Sequence, residues 1–136
     1  MTLTVDDRTA VTDLIHEYGH LIDAGKLDRL AELFTADATY DLVDFGQGTL
    51  TGVAAIRAAA LALGEANPVG HHITNVVLTE QADGRVRARS KGIGIMADGT
   101  AGSVLYDDLI VRDGSTWRIS HRTIVARRAP LGGVPR

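Results

Sequence analysis

Residues 71–127 read HHITNVVLTEQADGRVRARSKGIGIMADGTAGSVLYDDLIVRDGSTWRISHRTIVAR, and this stretch decides the fold class. Four long runs, 71–81, 85–97, 101–112 and 116–127, carry the β-branched and alternating residues of strands. Between them stand Ala82-Asp83-Gly84, Asp98-Gly99 and Asp113-Gly114. Asp-Gly supplies the positive φ that a tight hairpin turn needs, so the four runs predict an antiparallel meander. Upstream the pattern changes to helix. From Val5 to Ala24 apolar residues fall at Val11, Leu14, Ile15, Tyr18, Leu21 and Ile22, one stripe at helical spacing. Thr4 and Asp7 form a capping-box pattern before it, and Gly25 offers a stop. A shorter helix is predicted over 27–34, a strand over 38–43, a glycine-punctuated turn with one more strand over 46–52, and an alanine-rich helix over 53–63. Helices first and long antiparallel strands afterwards give an α+β class, a curved, mostly antiparallel sheet wrapped around the N-terminal helices. Residues 1–128 are read as a single domain and 129–136, with two Pro and two Gly, as a flexible C-terminal tail.

Composition narrows the function. A chain of 136 residues buries roughly two-thirds of its unfolded surface, enough for a core with a pocket in it. Zero Cys excludes thiol nucleophiles, thiolate metal sites and disulfides, and fits a reducing compartment. A net charge of −3 argues against nucleic acid as a partner. No run approaches the ~18 apolar residues of a membrane span, and the first residues are acidic where a signal peptide is basic, so the expectation is a cytoplasmic protein.

Three groups of residues could carry chemistry. Gly46-x-Gly48-x-x-x-Gly52 mimics a dinucleotide loop, but its last spacing is one residue too long and no βαβ unit surrounds it, which makes a structural turn the better reading. His16, His20 and Asp23 share one helical flank at spacings of four and three, a geometry able to meet a metal or simply water. Asp23, His71 and Arg122 are dispersed: a helix end, the start of the first long strand and the middle of the last.

The segment Tyr18-Gly-His-Leu-Ile-Asp23, running on to Asp28 and Phe34, is followed in order by Gly52-Val-Ala-Ala-Ile56, His71-His-Ile-Thr-Asn75, Tyr106 to Gly114, and Trp117-Arg-Ile119 with Arg122. This ordered set resembles SnoaL-like domains of the superfamily that includes nuclear transport factor, ketosteroid isomerase and scytalone dehydratase. The resemblance implies a cone-shaped α+β barrel. In the branch with scytalone dehydratase and hexachlorocyclohexane dehydrochlorinase, an Asp near the end of the first helix pairs with a His in a His-x-x-x-Asn stretch to abstract a proton. Asp23 and His71 of His71-x-x-x-Asn75 match that pair, and Arg122 matches the dehydrochlorinase arginine. Tyr18, Tyr40, His72, Asn75 and Tyr106 are the residues assigned to the substrate pocket. His72 adjoins His71, and a one-residue change of register exchanges them. Trp117 and Arg122 fall on opposite faces of a regular strand, so a core Trp with a pocket Arg requires a bulge or a sheet buried on both faces.

The implied function is a cofactor-independent, metal-free lyase or isomerase, dehydratase-like or polyketide-cyclase-like. It would act on a small apolar substrate with His71 as base, Asp23 orienting it, and Arg122, or Tyr18 and Asn75 as neutral donors, facing the developing negative charge. The alternative is a non-catalytic ligand-binding or dimerisation module on the same scaffold. A homo-oligomer is expected, a dimer or alternatively a trimer.

Overall fold

A computed structural model describes residues 2–135. Helix α1 spans Val5–Asp23, and its predicted capping box is present: Thr4 Oγ1 accepts from the Asp7 N–H at 3.0 Å, and Asp7 Oδ2 accepts from the Thr4 N–H at 3.0 Å. Strand β1 is Phe34–Asp41, β2 is Thr49–Thr51, helix α2 is Val53–Leu63, and the meander follows as β3 Gly70–Glu80, β4 Val86–Ile95, β5 Ala101–Asp113 and β6 Thr116–Ala126. The six strands form one curved, unclosed sheet in the order β2-β1-β6-β5-β4-β3. Every neighbouring pair is antiparallel except β1–β6, which is parallel. Among the described residues, no helix is long and apolar enough to cross a membrane.

The helix expected over 27–34 is corrected. Leu27–Glu32 is a 3-10 segment, and the following strand starts at Phe34, four residues before the expected Ala38. Six residues are too few to hold an α-helical nucleus unaided. Pairing with β6 also offers the backbone better partners: Phe34 sits opposite Ile119, and the Ile119 N–H donates to the Leu33 carbonyl at 2.8 Å. Of the tail expected over 129–136, Pro130–Gly133 forms an exposed 3-10 turn, and Arg136 lies outside the described residues.

Helix α1 lays Val11, Leu14, Ile15, Tyr18 and Leu21 onto the concave face of the sheet. On that face β4 and β5 taper together. In register, Val86 opposes Ile110, Ala88 opposes Asp108, Ser90 opposes Tyr106, Gly92 opposes Val104 and Gly94 opposes Gly102. Side chains thus fill one end of the concave face, where Val86 and Ile110 are fully buried, and shrink to bare backbone at the other. The space left there is a cavity.

Two bulges set which residues face inward. In β6, His121 pairs with Leu109 and Ile119 with Ile110, leaving Ser120 as an extra residue whose Oγ donates to the Leu109 carbonyl at 3.1 Å. The extra residue reverses the alternation, so Trp117 and Ile119 point inward before it and Arg122 and Ile124 after it. Of the two arrangements that the spacing of Trp117 and Arg122 left open, the bulge is the one present. In β3 the register shifts between Thr74 and Val77, and Asn75 takes φ +56°, a left-handed conformation that Asn tolerates better than most residues.

Candidate active site

A cavity of about 490 Å³ opens at the glycine end of the concave face. Its walls come from the last turns of α1 (Tyr18, Ile22), from β1 and the following turn (Tyr40, Leu42, Phe45), from α2 (Ile56, Ala60, Leu63), and from β3–β6. The lining is mostly apolar and, among the described residues, includes no Lys, Arg, Asp or Glu. The polar groups are His71, the three tyrosines Tyr18, Tyr40 and Tyr106, and Gln47, Asn67 and Thr100.

Asp23 ends α1 and His71 is the second residue of β3, 48 residues apart in the chain. Asp23 Oδ1 accepts from His71 Nδ1 at 2.7 Å, and Asp23 Oδ2 accepts from the His71 backbone N–H at 2.8 Å. One carboxylate therefore grips both the ring and the main chain of the histidine. With Nδ1 carrying the proton given to the carboxylate, the neutral ring keeps its lone pair on Nε2. The side chains are 14% and 28% exposed for His71 and Asp23, so the pair is partly shielded and still reachable.

This geometry depends on Gly19. A Cβ there would lie 2.8 Å from the His71 carbonyl oxygen, nearer than real side chains come, so only glycine lets α1 and β3 approach closely enough for Asp23 to reach His71.

Three tyrosines cluster beside the dyad. The hydroxyls of Tyr18 and Tyr40 are 2.8 Å apart and buried. The Tyr18 ring stands edge-on to His71 and to Tyr106, with centroids 6.3 Å apart in each case. In a pair of hydroxyls one donates to the other, and the acceptor keeps its own proton for a ligand oxygen. Burial pushes the Tyr40 phenol well above its usual range, with the neighbouring Tyr18 adding to the effect and Arg122 opposing it. Burial likewise raises Tyr106. Both are thereby neutral donors and not bases at physiological pH.

Arg122, one of the candidates for facing the developing charge, does not line the cavity. It is fully buried behind the cavity wall, its guanidinium carbon 4.4 Å from the ring centroids of both Tyr18 and Tyr106. Its Nε and Nη2 donate to the two oxygens of Asp108 at 2.7 and 2.9 Å, and Asp108 is also buried. Burial disfavours the guanidinium charge, but the Asp108 carboxylate more than offsets this and holds the group well above its ordinary value. The pair is thus a charged platform under the tyrosine rings.

The structure brings together Asp23, His71, Tyr18, Tyr40 and Tyr106, with Arg122 behind them. It does not bring in His72 and Asn75: both are exposed and outside the cavity lining, His72 because strand alternation turns it to the other face and Asn75 because it forms the bulge. His16 and His20 are exposed on α1, and Asp23 is committed to His71. Among the described residues no three His, Cys, Asp or Glu side chains could hold a metal ion together. Asp108, Gly19 and the cavity glycines were missed. Asp108 had a legible signal, a carboxylate in phase with Tyr106 and Ile110 on one strand face.

The SnoaL-like domain family model matches residues 3–123. No curated protein matches the sequence. Among solved structures, an aromatic ring hydroxylase, so described, from Novosphingobium aromaticivorans is 27% identical with a TM-score of 0.75, 94% of each chain being covered. A protein described as a scytalone dehydratase from the same species is 19% identical with a TM-score of 0.75 over 91% of this chain and 86% of that one. The type 3 hexachlorocyclohexane dehydrochlorinase LinA from Novosphingobium barchaimii is 20% identical with a TM-score of 0.76 over 97% and 94% of the two chains. The last two share the fold. With the family model covering nearly the whole described chain, helices packed on a curved six-strand sheet and a cavity between them, the chain belongs to the SnoaL-like domain family.

Proposed function

We propose that this chain is a cofactor-independent lyase or isomerase acting on a neutral, largely apolar small molecule. The observation that carries the reading is the 2.7 Å contact between Asp23 and His71 at the wall of an uncharged cavity. His71 Nε2 takes a proton from a substrate carbon; Asp23 holds the ring and stabilises the imidazolium that forms. The electron pair of the broken C–H bond becomes a new C=C bond. In an elimination the leaving group departs with its own bonding pair and is protonated by His71 or a tyrosine hydroxyl. In an isomerisation the original C=C pair takes the proton back from His71 at a different carbon; in a cyclisation the C–H pair instead forms a C–C bond to a carbonyl carbon of the same molecule, the C=O π pair moves to the oxygen, and that oxygen takes the proton held by His71. The Tyr18–Tyr40 pair donates to the oxygen on which charge develops. Arg122 is a positioning residue in this scheme, acting through the Tyr18 and Tyr106 rings.

The test is a double-mutant cycle with dehydratase, isomerase and cyclase substrates. Asp23→Asn and His71→Ala each lower turnover by about 10² to 10⁴-fold, and the double variant is little worse than His71→Ala, because Asp23 then has no ring to orient. His72→Ala stays within a few-fold of the parent. Ligand binding unchanged in all variants, with no turnover by the parent on any of these substrates, makes the protein a non-catalytic binding module instead.

The same reading takes the working form as a cytoplasmic homo-oligomer, a dimer or alternatively a trimer. Exposed Val77 and Ile93 on β3 and β4 support it, and light scattering returning 14.4 kDa at micromolar concentration refutes it.

A further inference from the structure

One wall of the cavity is a short loop with few attachments. Residues 42–48 join β1 to β2, with Val43–Phe45 as a single 3-10 turn. Leu42, Phe45 and Gln47 line the cavity. Burial does not hold the loop in place: Phe45 is 42% exposed, which sets it at the cavity rim, and Val43 is more exposed still. The loop's own hydrogen bonds run from the Phe45 and Gln47 N–H groups to the Leu42 carbonyl, and from the Leu42 N–H to the Gly48 carbonyl. They fix its shape but not its position.

The position is set by the end of β6. Among the described residues, every hydrogen bond that 43–47 make beyond the hairpin 41–49 runs through Asp44. Asp44 Oδ2 accepts from the Ala126 N–H and from Arg128 Nη1, both at 2.8 Å, and the Asp44 carbonyl accepts from Arg128 Nη2 at 3.1 Å. The guanidinium carbon of Arg128 also lies 5.8 Å from the centre of the Phe45 ring. Arg128 thus meets a carboxylate, a carbonyl and an aromatic ring on two successive residues, and the ring belongs to a cavity-lining side chain. An isolated exposed ion pair contributes little. This one acts together with a fixed backbone donor, on a loop that has no competing outside attachment among the described residues.

We propose that Arg128 is a positioning residue for the cavity: through Asp44 it holds Phe45 at the rim, so the segment that follows the last strand controls how long a neutral apolar ligand stays bound. The proposal rests on the part of the proposed function that places a small apolar molecule in this cavity, and not on proton abstraction at His71.

The test measures release of 2-naphthol and biphenyl-4-ol, two neutral apolar probes, by ligand-observed NMR. A second readout, hydrogen exchange at the Phe45 and Gln47 amides, needs no ligand. Arg128→Gln and Asp44→Asn each speed release by about threefold to tenfold and accelerate exchange at both amides, because the loop then opens without breaking its outside attachment. Phe45→Ala also speeds release, and adding Arg128→Gln to it changes the rate by less than about 1.5-fold, since Arg128 acts through that ring. Arg128→Lys keeps the charge without the planar fork and recovers part of the loss. Added salt brings the parent toward Arg128→Gln and leaves Arg128→Gln itself little changed. The proposal is overturned if both single variants release the probes at the parent rate or leave amide exchange unchanged, if the effect of Arg128→Gln is undiminished in Phe45→Ala, or if the parent binds neither probe. A parent that binds the probes, loses them faster without Arg128 and yet turns nothing over refutes the lyase or isomerase reading and leaves Arg128 standing. Turnover that depends on His71, with release indifferent to Arg128, has the opposite meaning.

Discussion

Gly19→Ala sets two effects of opposite sign against each other. Replacing a mid-helix glycine by alanine normally stabilises by up to about 1 kcal/mol, because alanine loses less backbone entropy on folding. Here the new Cβ would stand 2.8 Å from the His71 carbonyl oxygen, whereas ordinary contact begins at 3.4 Å. The neighbour is backbone within β3, so relief requires α1 and β3 to separate by 0.6 Å, the difference between those two distances. Asp23 rides on α1 and His71 on β3, so the same movement stretches the 2.7 and 2.8 Å hydrogen bonds toward 3.4 Å, where little of them remains. A weakened hydrogen bond to a charged group costs about 1.5–3 kcal/mol. The clash wins: net destabilisation is expected at about 0.5–2 kcal/mol after the helix gain is subtracted. Turnover is expected to fall up to about 10²-fold, since displacements of an ångström are enough for that. Urea unfolding gives the first quantity, steady-state kinetics the second, and the His71 side-chain NMR signals report the dyad itself. A Gly19→Ala protein more stable than the parent and equally active would refute the claim that close approach at Gly19 builds the dyad.

Two further outcomes concern charge. Arg122→Met strands the buried Asp108 carboxylate and is expected to cost about 3–5 kcal/mol, while Arg122→Met with Asp108→Leu recovers most of that, as read by chemical denaturation; equal losses in both would mean the ion pair itself contributes net stability. In acid, the backbone N–H of Ala126 and then Arg128 hold the Asp44 carboxyl below its ordinary value of 3.8, and hydrogen bonds from Thr4 do the same for Asp7. Their contribution is fully present above the unfolded value and is lost as pH falls through the lower folded values, so melting temperature should drop between about pH 5 and pH 2, less steeply in Asp44→Asn.

The legibility of this protein in its sequence divides along the range of the forces involved. Helix α1, its cap, the alanine-rich helix and the four-strand meander were readable because each rests on local terms: a periodicity, a capping pair, an Asp-Gly turn. Asp23 and His71 were readable as a pair only through the family resemblance, since nothing local joins residues 48 apart. The helical pattern of 27–34 does not decide that segment, because β6, a partner some 85 residues on, pairs with its end in parallel and outweighs a weak helical preference. Arg122 was located in sequence but not in role; the bulge at Ser120 turned it inward, and Asp108 and two tyrosine rings then closed around it. The cavity was the least legible feature of all. It consists of side chains that are absent, and whether a glycine is filled by a neighbour, as at Gly92, or left open, as at Gly102, is settled by which strands and loops pack beside it, a long-range outcome that no local pattern encodes.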